Sequence, residues 1–487
     1  MRFKIFYLFI IIIYCIVAFQ SPGYDDDIIN VRMIEKFGYG TIHIVQTMDV
    51  HPPGSYLADW ALYEVIGRWD LIRTLIALLT AFALISGINY VRENHGDFSG
   101  TVCFIVLGLN PAYLLWGTGL RWYAYFVPIL IAVLQVPTKR DSLYWAKCFL
   151  GLTLLGYFGY AMFILAPSII LLYWVLDQSN VKVKLKAASI WAVAFLVLYA
   201  YQMQIFLNVH VKNKDTQISS LFKNLVGFLV GNISNQGVFP VSIAGVVTII
   251  GMSGFMGLIL YSQLKLRKNN PYLLPFLMSG AAAIFSGIAG KFRNLVVVSP
   301  FQGFWMASAT ELVQQKKLLN SFLLCILVGN IWGVVNVTTH KDTTKNSWNL
   351  PVKDILNELA SVKSTCNGDY LVLSYDLTIS RNVEVNGFNQ VGPFDEKSVN
   401  NFNKPFKCVT VVQSYVGNKF ADEKFKNMMR ELGQLKYGNS ISKKLSRDDF
   451  YQLKRKLDSN YPEYPIQITT YYDVSYLPEF NSWLSEY

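Results

Sequence analysis

The chain has 487 residues, of which 53% are hydrophobic and 15% are charged. Apolar runs long enough to cross a bilayer recur from the N-terminus to about residue 336, which excludes a purely soluble protein. The formal net charge is +11, but many of the lysines and arginines lie in short loops between apolar runs. The positive-inside rule accounts for that charge, so we predict no nucleic-acid partner.

Hydropathy predicts a polytopic α-helical membrane protein with about eleven transmembrane helices. The first apolar run could be a signal peptide, but no clear small-x-small cleavage site follows it. We therefore interpret it as an uncleaved helix that begins in the cytoplasm. The predicted spans lie near residues 3–20, 70–91, 99–118, 121–136, 142–157, 160–177, 187–204, 239–263, 271–289, 295–313 and 318–336.

Basic residues fall in alternate loops, which indicates the orientation of the chain in the membrane. With a cytoplasmic N-terminus, these loops are all cytoplasmic, and an odd number of spans places the C-terminal region outside. We therefore predict a multi-pass protein of the inner (plasma) membrane, with membrane lipid around it. The basic loop residues are Arg92, Lys139, Arg140, Lys182, Lys184, Lys186, Lys265, Arg267, Lys268, Lys316 and Lys317.

The predicted transmembrane domain covers residues 1–336, and its first extracytoplasmic loop covers residues 21–69. Within the loop, residues 27–37 are amphipathic and Gly38 and Gly40 follow them, which predicts a short surface helix. Its apolar face carries Ile29, Met33, Ile34 and Phe37. After Pro52-Pro53, the sequence SYLADWALYEVIG predicts a second helix that ends at Gly67.

Three consecutive carboxylates, Asp25, Asp26 and Asp27, stand at the start of the first surface helix. One aspartate is enough to cap a helix and to interact with its dipole. Three adjacent carboxylates repel one another, which raises the cost of ionising all of them. A general base, a metal site and a sugar contact are therefore all open roles for this cluster, beside the structural one.

Further candidate site residues lie at the predicted outer face. In the loop, Asp49 and His51 come before the rigid Pro-Pro step, which restricts His51 to an extended backbone. A single arginine at a membrane edge anchors a lipid headgroup in most cases, whereas several together can bind a phosphate. The cationic residues concerned are Arg73, Arg121, Lys291 and Arg293.

Residues 337–487 are more polar and are predicted to form a separate extracytoplasmic α/β domain. Candidate strands are Tyr370–Tyr375, Lys407–Tyr415 and Ile466–Asp473, and candidate helices lie near 352–360, 421–435 and 447–458. Two of the six cysteines, Cys366 and Cys408, lie in this region. In an extracytoplasmic domain they are expected to form a disulfide.

Taken together, these motifs resemble the GT-C superfamily of polytopic glycosyltransferases, in its protein-mannosyltransferase and lipid A aminoarabinose-transferase branch. In that branch an acidic pair in the first outside loop precedes a His-Pro-Pro or Lys-Pro-Pro step, and an Arg-x-Tyr lies between later spans. The matching residues here are Asp26-Asp27, His51-Pro52-Pro53, Gly67, Leu71-Ile72-Arg73, Arg121-Trp122-Tyr123, Arg293-Asn294 and Pro300. By its layout the chain also resembles serotype-converting O-antigen glucosyltransferases of bacteria and phages.

The resemblance implies an inverting transfer of a sugar, glucose in the narrower interpretation, from a polyprenyl-phosphate donor to an extracytoplasmic glycan such as lipid-linked O-antigen. Asp26 is the expected general base, with Asp25 and Asp27 beside it. Arg73, Arg121, Lys291 and Arg293 would contact the donor phosphate, with His51, Asp49 and Tyr123 as further substrate contacts. Asp25 or Asp27 could instead orient the acceptor or hold a divalent metal. Members of this branch often work without a metal, so the metal stays an open alternative.

Two other classes of function remain as alternatives. A flippase or transporter of lipid-linked sugars would carry its functional charges near the bilayer midplane, whereas here they lie at one face. An O-antigen polymerase or ligase would carry its large loop late in the chain, whereas here the loop precedes the second span. Both observations favour a glycosyltransferase.

The topology can be tested with a reporter fused after Tyr487. We expect an alkaline phosphatase fusion to be active and a green fluorescent protein fusion to be dark, because the odd span count places the C-terminus outside. The reverse pattern would contradict the predicted layout and remove the argument for a disulfide.

Overall fold

The computed structural model describes most of the helical part of the chain and the sheet of the C-terminal part. The described segments are residues 2–20, 25–42, 52–136, 143–177, 243–268, 270–285, 292–338, 352–366, 370–374, 406–414, 437–445 and 466–474, together with residues 181, 182, 185, 186, 189, 193, 225, 379, 383, 386–388, 390 and 391.

Twelve of the described helices lie before residue 340 and are labelled in chain order. A helix lies in every predicted span that the structure describes, whereas the span near 187–204 falls largely outside the described residues. The helices are α1 Arg2–Gln20, α2 Asp25–Phe37, α3 Gly54–Ile66, α4 Trp69–Cys103, α5 Pro111–Trp116, α6 Trp122–Leu134, α7 Leu143–Phe158, α8 Ala161–Leu176, α9 Ile243–Leu266, α10 Leu273–Phe285, α11 Ser299–Ser308 and α12 Lys316–Thr338.

Among the described helices, three segments are long and apolar enough to cross a membrane: Trp69–Gly108, Gly245–Leu266 and Lys316–Thr338. Shorter apolar helices cover Phe3–Phe19, Trp122–Leu134, Ala161–Leu176 and Leu273–Phe285. The chain is thus a multi-pass helical membrane protein. The predicted total of eleven spans stays a prediction, as does the orientation of the termini.

The longest apolar segment is a hairpin of two antiparallel helices, because α4 reverses at Gly96. This glycine has φ 83° and ψ 170°, a conformation that only glycine adopts without strain. Beyond the turn, Gly100 lies against Arg92, and the Thr80 hydroxyl donates to the Gly117 carbonyl at 3.1 Å. The reversal agrees with the prediction of two spans, although the predicted loop between them is reduced to a turn.

Described residues of four loops predicted to be cytoplasmic come together at one end of the helical part, which we call the basic end (residues 90–98, 134–136, 143–147, 265–268, 270–272 and 310–317). The Tyr272 hydroxyl donates to the Leu134 carbonyl at 3.1 Å, and its oxygen also lies 3.3 Å from the Tyr90 hydroxyl oxygen. The Lys316 ammonium lies over the Phe98 ring, 5.5 Å from its centroid. The structure therefore groups Arg92, Lys265 and Lys316 on a common side, as the loop charges predicted.

Helix α6 is the centre of the helical part. All of its residues except Ile129 and Ala132 are buried, and it packs against α3, α4, α7 and α11. The turn before it is buried too, and Asn110 caps the preceding helix α5 through a bond from the Ala112 amide at 2.9 Å. A helix that is apolar all round belongs in a protein core or in a membrane, and here neighbouring helices cover nearly all of its surface.

The chain divides into two compact units, residues 1–20 with 33–339 and residues 21–32 with 340–487. The first surface helix, α2, therefore contributes its first residues to the second unit and its last residues to the first unit. This division differs from the predicted one in residues 21–32 and 337–339. The predicted assignment of roles to the two domains stays a prediction.

In the second unit, helix α13 (Val352–Thr365) covers one face of a five-stranded mixed sheet. The strands are β1 Tyr370–Ser374, β2 Gln390–Val391, β3 Phe406–Ser414, β4 Asn439–Leu445 and β5 Ile466–Val474, in the order β2-β1-β3-β5-β4. Strand β1 is parallel to β2 and β3, whereas β5 is antiparallel to β3 and β4. Apolar residues of α13, β1, β3 and β5 form the core.

The three strands predicted in the C-terminal region correspond to β1, β3 and β5, and the helix predicted near 352–360 corresponds to α13. Strands β2 and β4 were not predicted, because β2 has two residues and β4 lies exposed at the edge of the sheet without an apolar face. The helices predicted at 421–435 and 447–458 lie outside the described residues.

Cys366 and Cys408 form the predicted disulfide, with their Cα atoms 5.9 Å apart. Cys366 follows the last turn of α13, and Cys408 lies in β3, so the bond joins the helix to the centre of the sheet. The two cysteines are 42 residues apart, and closing a loop of that length stabilises the fold by about 4 kcal/mol in the chain-entropy account.

We expect the double variant Cys366→Ala/Cys408→Ala to lower the thermal unfolding midpoint of the purified full-length protein. The control is Cys325→Ala, a free cysteine in α12. Because the disulfide acts within the second unit, added reductant should reproduce the loss in the native protein and leave the double variant unchanged. Native protein prepared without reductant in which mass spectrometry finds both thiols free would contradict the assignment.

Candidate functional site

The acidic cluster lies at the start of α2, and the structure places Asp27 on the buried side of this helix. Asp27, Asn30, Val31 and Ile34 are all buried, at the spacing of one helical face. The side chains of Asp25 and Asp26 are outside the described part of the chain. Of the predicted apolar face, Ile34 is buried, Met33 is half-buried, and Phe37, the last residue of the helix, is exposed.

The end of α2 is joined to the start of the membrane hairpin. Gly38 ends the helix with φ 53°, as predicted from its position. The Trp69 indole, in the first turn of α4, donates to the Glu35 carboxylate at 2.8 Å. The rings of Tyr39 and Trp60 pack edge to face with their centroids 5.1 Å apart, so the turn that follows α2 also contacts α3. The first surface loop is therefore a packed structure over its described residues.

Helix α3 begins directly after Pro52-Pro53 and ends at Gly67, which has φ 67°, as the sequence predicted. Its first residue, Gly54, packs on the end of α7. A Cβ added there would lie 2.3 Å from the Tyr157 carbonyl oxygen, so a glycine is needed for this approach. Asp49 and His51, two of the predicted site residues, lie outside the described residues.

Two hydrogen bonds join α3 to the start of α6. The Arg121 guanidinium, at the N-cap of α6, donates to the Tyr56 hydroxyl at 3.3 Å. One turn further along, the Tyr125 hydroxyl donates to the Asp59 carboxylate at 2.5 Å. Tyr56, Asp59 and Tyr125 are buried, whereas Arg121 is half-buried.

Aromatic side chains enclose this pair of bonds. The Tyr125 ring stacks on Phe158 at 5.1 Å, and Gly159 lies so close to Trp122 that an added Cβ would meet its ring at 2.5 Å. Tyr123, a predicted substrate contact, is buried between the rings of Trp116 and Trp122. The loops after α5 and α7 therefore meet the start of α3 at one end of the helical part, opposite the basic end.

The other predicted cationic residues are placed only in part. Arg73 is buried in the first turns of α4. The structure places Arg293 in a 3-10 helix, Phe292–Val297, of which only the backbone is described at that position, and Lys291 lies outside the described residues. No contact among the described residues places Arg73 or Arg293 beside the two hydrogen bonds that Arg121 and Tyr125 donate.

Arg68 shows how a different arginine at this end is used. It forms an ion pair with Asp70 at 2.5 Å, and the hydrogen bond from that pair raises the pKa of Arg68. Both residues are at the start of α4, where the acidic residue also interacts well with the helix dipole. This pairing gives Arg68 a structural role at the helix end.

Sequence reasoning missed Tyr56, Asp59 and Tyr125. A signal for Asp59 was present, because it is a carboxylate in the middle of the otherwise apolar segment SYLADWAL. Among the residues that the structure describes, no group of three or more His, Cys, Asp or Glu side chains is placed to hold a metal ion.

The structure is similar to the crystal structure of ArnT from Cupriavidus metallidurans in the apo state. The TM-score is 0.54 at 12% identity, and the likeness covers 96% of this chain and 97% of that chain. At this level of identity the likeness shows a shared fold. No family model and no curated protein matches the sequence.

The close packing of Gly54 can be tested with Gly54→Ala. We expect this variant to lower the thermal unfolding midpoint in detergent by an amount equivalent to about 1–3 kcal/mol, because the backbone of α7 has to move. Gly257→Ala in α9 is the matched control, since an added Cβ there meets nothing within 4 Å. Equal midpoints for both variants would contradict the packing of α3 on α7.

Proposed function

We propose that this protein is an inverting glycosyltransferase that moves a sugar from a polyprenyl-phosphate donor to an extracytoplasmic glycan acceptor. The observation that carries the proposal is the shared fold with ArnT, a GT-C aminoarabinose transferase, over nearly the whole chain. The sequence motifs of the first loop support the same superfamily independently of the fold. The narrower proposal is transfer of glucose to a lipid-linked O-antigen.

The proposed general base is a carboxylate of the acidic cluster at the start of α2. The acceptor hydroxyl oxygen attacks the anomeric carbon as the carboxylate takes the hydroxyl proton. The bond from the anomeric carbon to the phosphate oxygen breaks, and its electron pair stays on the phosphate, so the anomeric centre inverts. The helix phase predicted Asp26 for this role, and the burial of Asp27 makes it the second candidate.

The proposed ligands of the donor phosphate are Arg121 and Arg293, with Arg73 and Lys291 as further cations. Arg121 supports this role best, because it is half-buried and stands at the N-cap of a thirteen-residue helix. A helix N-terminus adds positive potential and backbone N–H donors for an anion. The negative charge that develops on the departing phosphate would be stabilised there.

The C-terminal unit is proposed to lie outside the cytoplasm, on the same side as the acceptor. Its disulfide supports this location, because such bonds persist in oxidising compartments. The lysine and arginine residues at the basic end support the same orientation, because positive loops stay in the cytoplasm. The acceptor would then be a glycan that has already been exported.

The proposal can be tested with purified protein in lipid, undecaprenyl-phosphate glucose and an undecaprenyl-diphosphate-linked O-antigen acceptor, with other undecaprenyl-phosphate sugars tried in parallel. We expect transfer of one sugar with inversion at its anomeric carbon. Movement of the donor across a vesicle membrane with no new glycosidic bond would instead support a flippase.

Asparagine variants of the acidic cluster identify the base. Asn is close to Asp in shape and can cap a helix, but it cannot take a proton at neutral pH. We expect Asp26→Asn, or Asp27→Asn if the phase differs by one residue, to lower kcat by roughly 10²–10⁴-fold while the protein still folds. Asp25→Asn completes the series. Full activity in all three variants would place the base elsewhere, with Asp49 the next candidate.

A further inference from the structure

A completely buried aspartate lies in the otherwise apolar middle of α3. Asp59 is 0% exposed, and it accepts a hydrogen bond from the Tyr125 hydroxyl at 2.5 Å. Burying a carboxylate costs free energy, and well-packed apolar residues at such a position often give equal or greater stability. The stability of the fold alone therefore does not explain this residue.

Two side-chain hydrogen bonds connect α3 to the start of α6, and we call them the outer rung and the inner rung. Tyr56 and Asp59 are three residues apart on α3, whereas Arg121 and Tyr125 are four residues apart at the start of α6. On α3 this spacing places both side chains on one face of the helix, whereas Arg121 is the extended N-cap residue that precedes α6 and lies about one turn before Tyr125. The bond from Arg121 to Tyr56 is the outer rung, and the bond from Tyr125 to Asp59 is the inner rung.

The inner rung is held rigidly by its surroundings. The Tyr125 ring is stacked on Phe158 with an angle of 18° between the two planes. On the next face of the same turn, Trp122 is held against Gly159. The first turn of α6 can therefore neither rotate nor slide along α3 without breaking the bond to Asp59.

We propose that Asp59 and Tyr125 are positioning residues that hold Arg121 in place to bind the phosphate of a polyprenyl phosphate. This inference rests on the proposed function and names the residues that shape its donor site. Arginine binds a phosphate through a planar fork of N–H groups, so its affinity depends on orientation as well as on charge. The inner rung fixes the helix turn that carries the guanidinium, and Tyr56 fixes the guanidinium itself.

Two variants break the inner rung, and one preserves it. Tyr125→Phe removes the donor, and Asp59→Leu removes the acceptor. Asp59→Asn keeps an amide oxygen that can accept from the Tyr125 hydroxyl, so a geometric role predicts that it retains the native affinity. Arg121→Lys serves as the comparison for loss of the fork, because it keeps the positive charge.

Matched controls with the same chemistry lie at the basic end and beside it. Asp177 is a buried aspartate that accepts a bond from the Trp145 indole at 2.9 Å. Tyr144 is a buried tyrosine whose hydroxyl donates to the Tyr173 carbonyl at 2.8 Å. Asp177→Leu and Tyr144→Phe therefore remove a similar bond at the end of the helices that is remote from Arg121.

The measurement is the affinity of each purified variant for undecaprenyl phosphate, with undecaprenol as the uncharged probe and the unfolding midpoint as the check on folding. We expect Tyr125→Phe, Asp59→Leu and Arg121→Lys to bind undecaprenyl phosphate roughly 10–100-fold more weakly, the worth of one hydrogen bond to a charged group. Undecaprenol binding should not change, and Asp59→Asn and both controls should match the native protein.

Each other result has a separate meaning. Native affinity in Tyr125→Phe and Asp59→Leu would overturn the positioning role and leave the proposed function intact. Equal losses in the controls would also overturn it, because they would show general destabilisation. If Tyr125→Phe does not fold, a native affinity in Asp59→Leu still decides against the role. Native protein that binds undecaprenyl phosphate no better than undecaprenol would refute the proposed donor and this assignment with it.

Discussion

The helical part of this protein depends on the burial of α6 on almost every face. The buried polar groups of such a helix need partners inside the protein. At the start of α6 the partners of Arg121 and Tyr125 are Tyr56 and Asp59 of α3. The contacts that pack the central helix therefore also shape the candidate site.

This constraint also explains the glycines and prolines of the region. Pro52-Pro53 set the start of α3, and Gly54 lets that start approach the backbone of Tyr157. Gly159 gives the ring of Trp122 its place beside the first turn of α6. Each small residue brings two elements together at the end of the helices that is opposite the basic end. The Pro-Pro motif that resembles GT-C enzymes thus has a structural function in addition to any catalytic one.

The two ends of the helical part have different chemistry. The basic end holds its lysines and arginines near tyrosine hydroxyls, carbonyls and aromatic rings, a pattern of anchoring in the interface. The opposite end has a buried carboxylate, buried tyrosines and a half-buried arginine at a helix N-terminus. The disulfide between α13 and β3 stabilises the second unit, and bonds of this kind persist in oxidising compartments.

The sequence by itself determined the helical membrane architecture, because hydropathy depends on composition and span length and needs no tertiary contact. It also determined the end of α2 at Gly38, the extent of α3, strands β1, β3 and β5, and the cysteine pair, because each has a local signal. The tertiary structure decided which polar residues meet. Asp59 and Tyr125 are 66 residues apart and Arg121 and Tyr56 are 65 residues apart, so no local pattern could pair them. It also decided that Asp27 lies on the buried face of α2, because burial depends on what packs against a helix as well as on the helix's own periodicity.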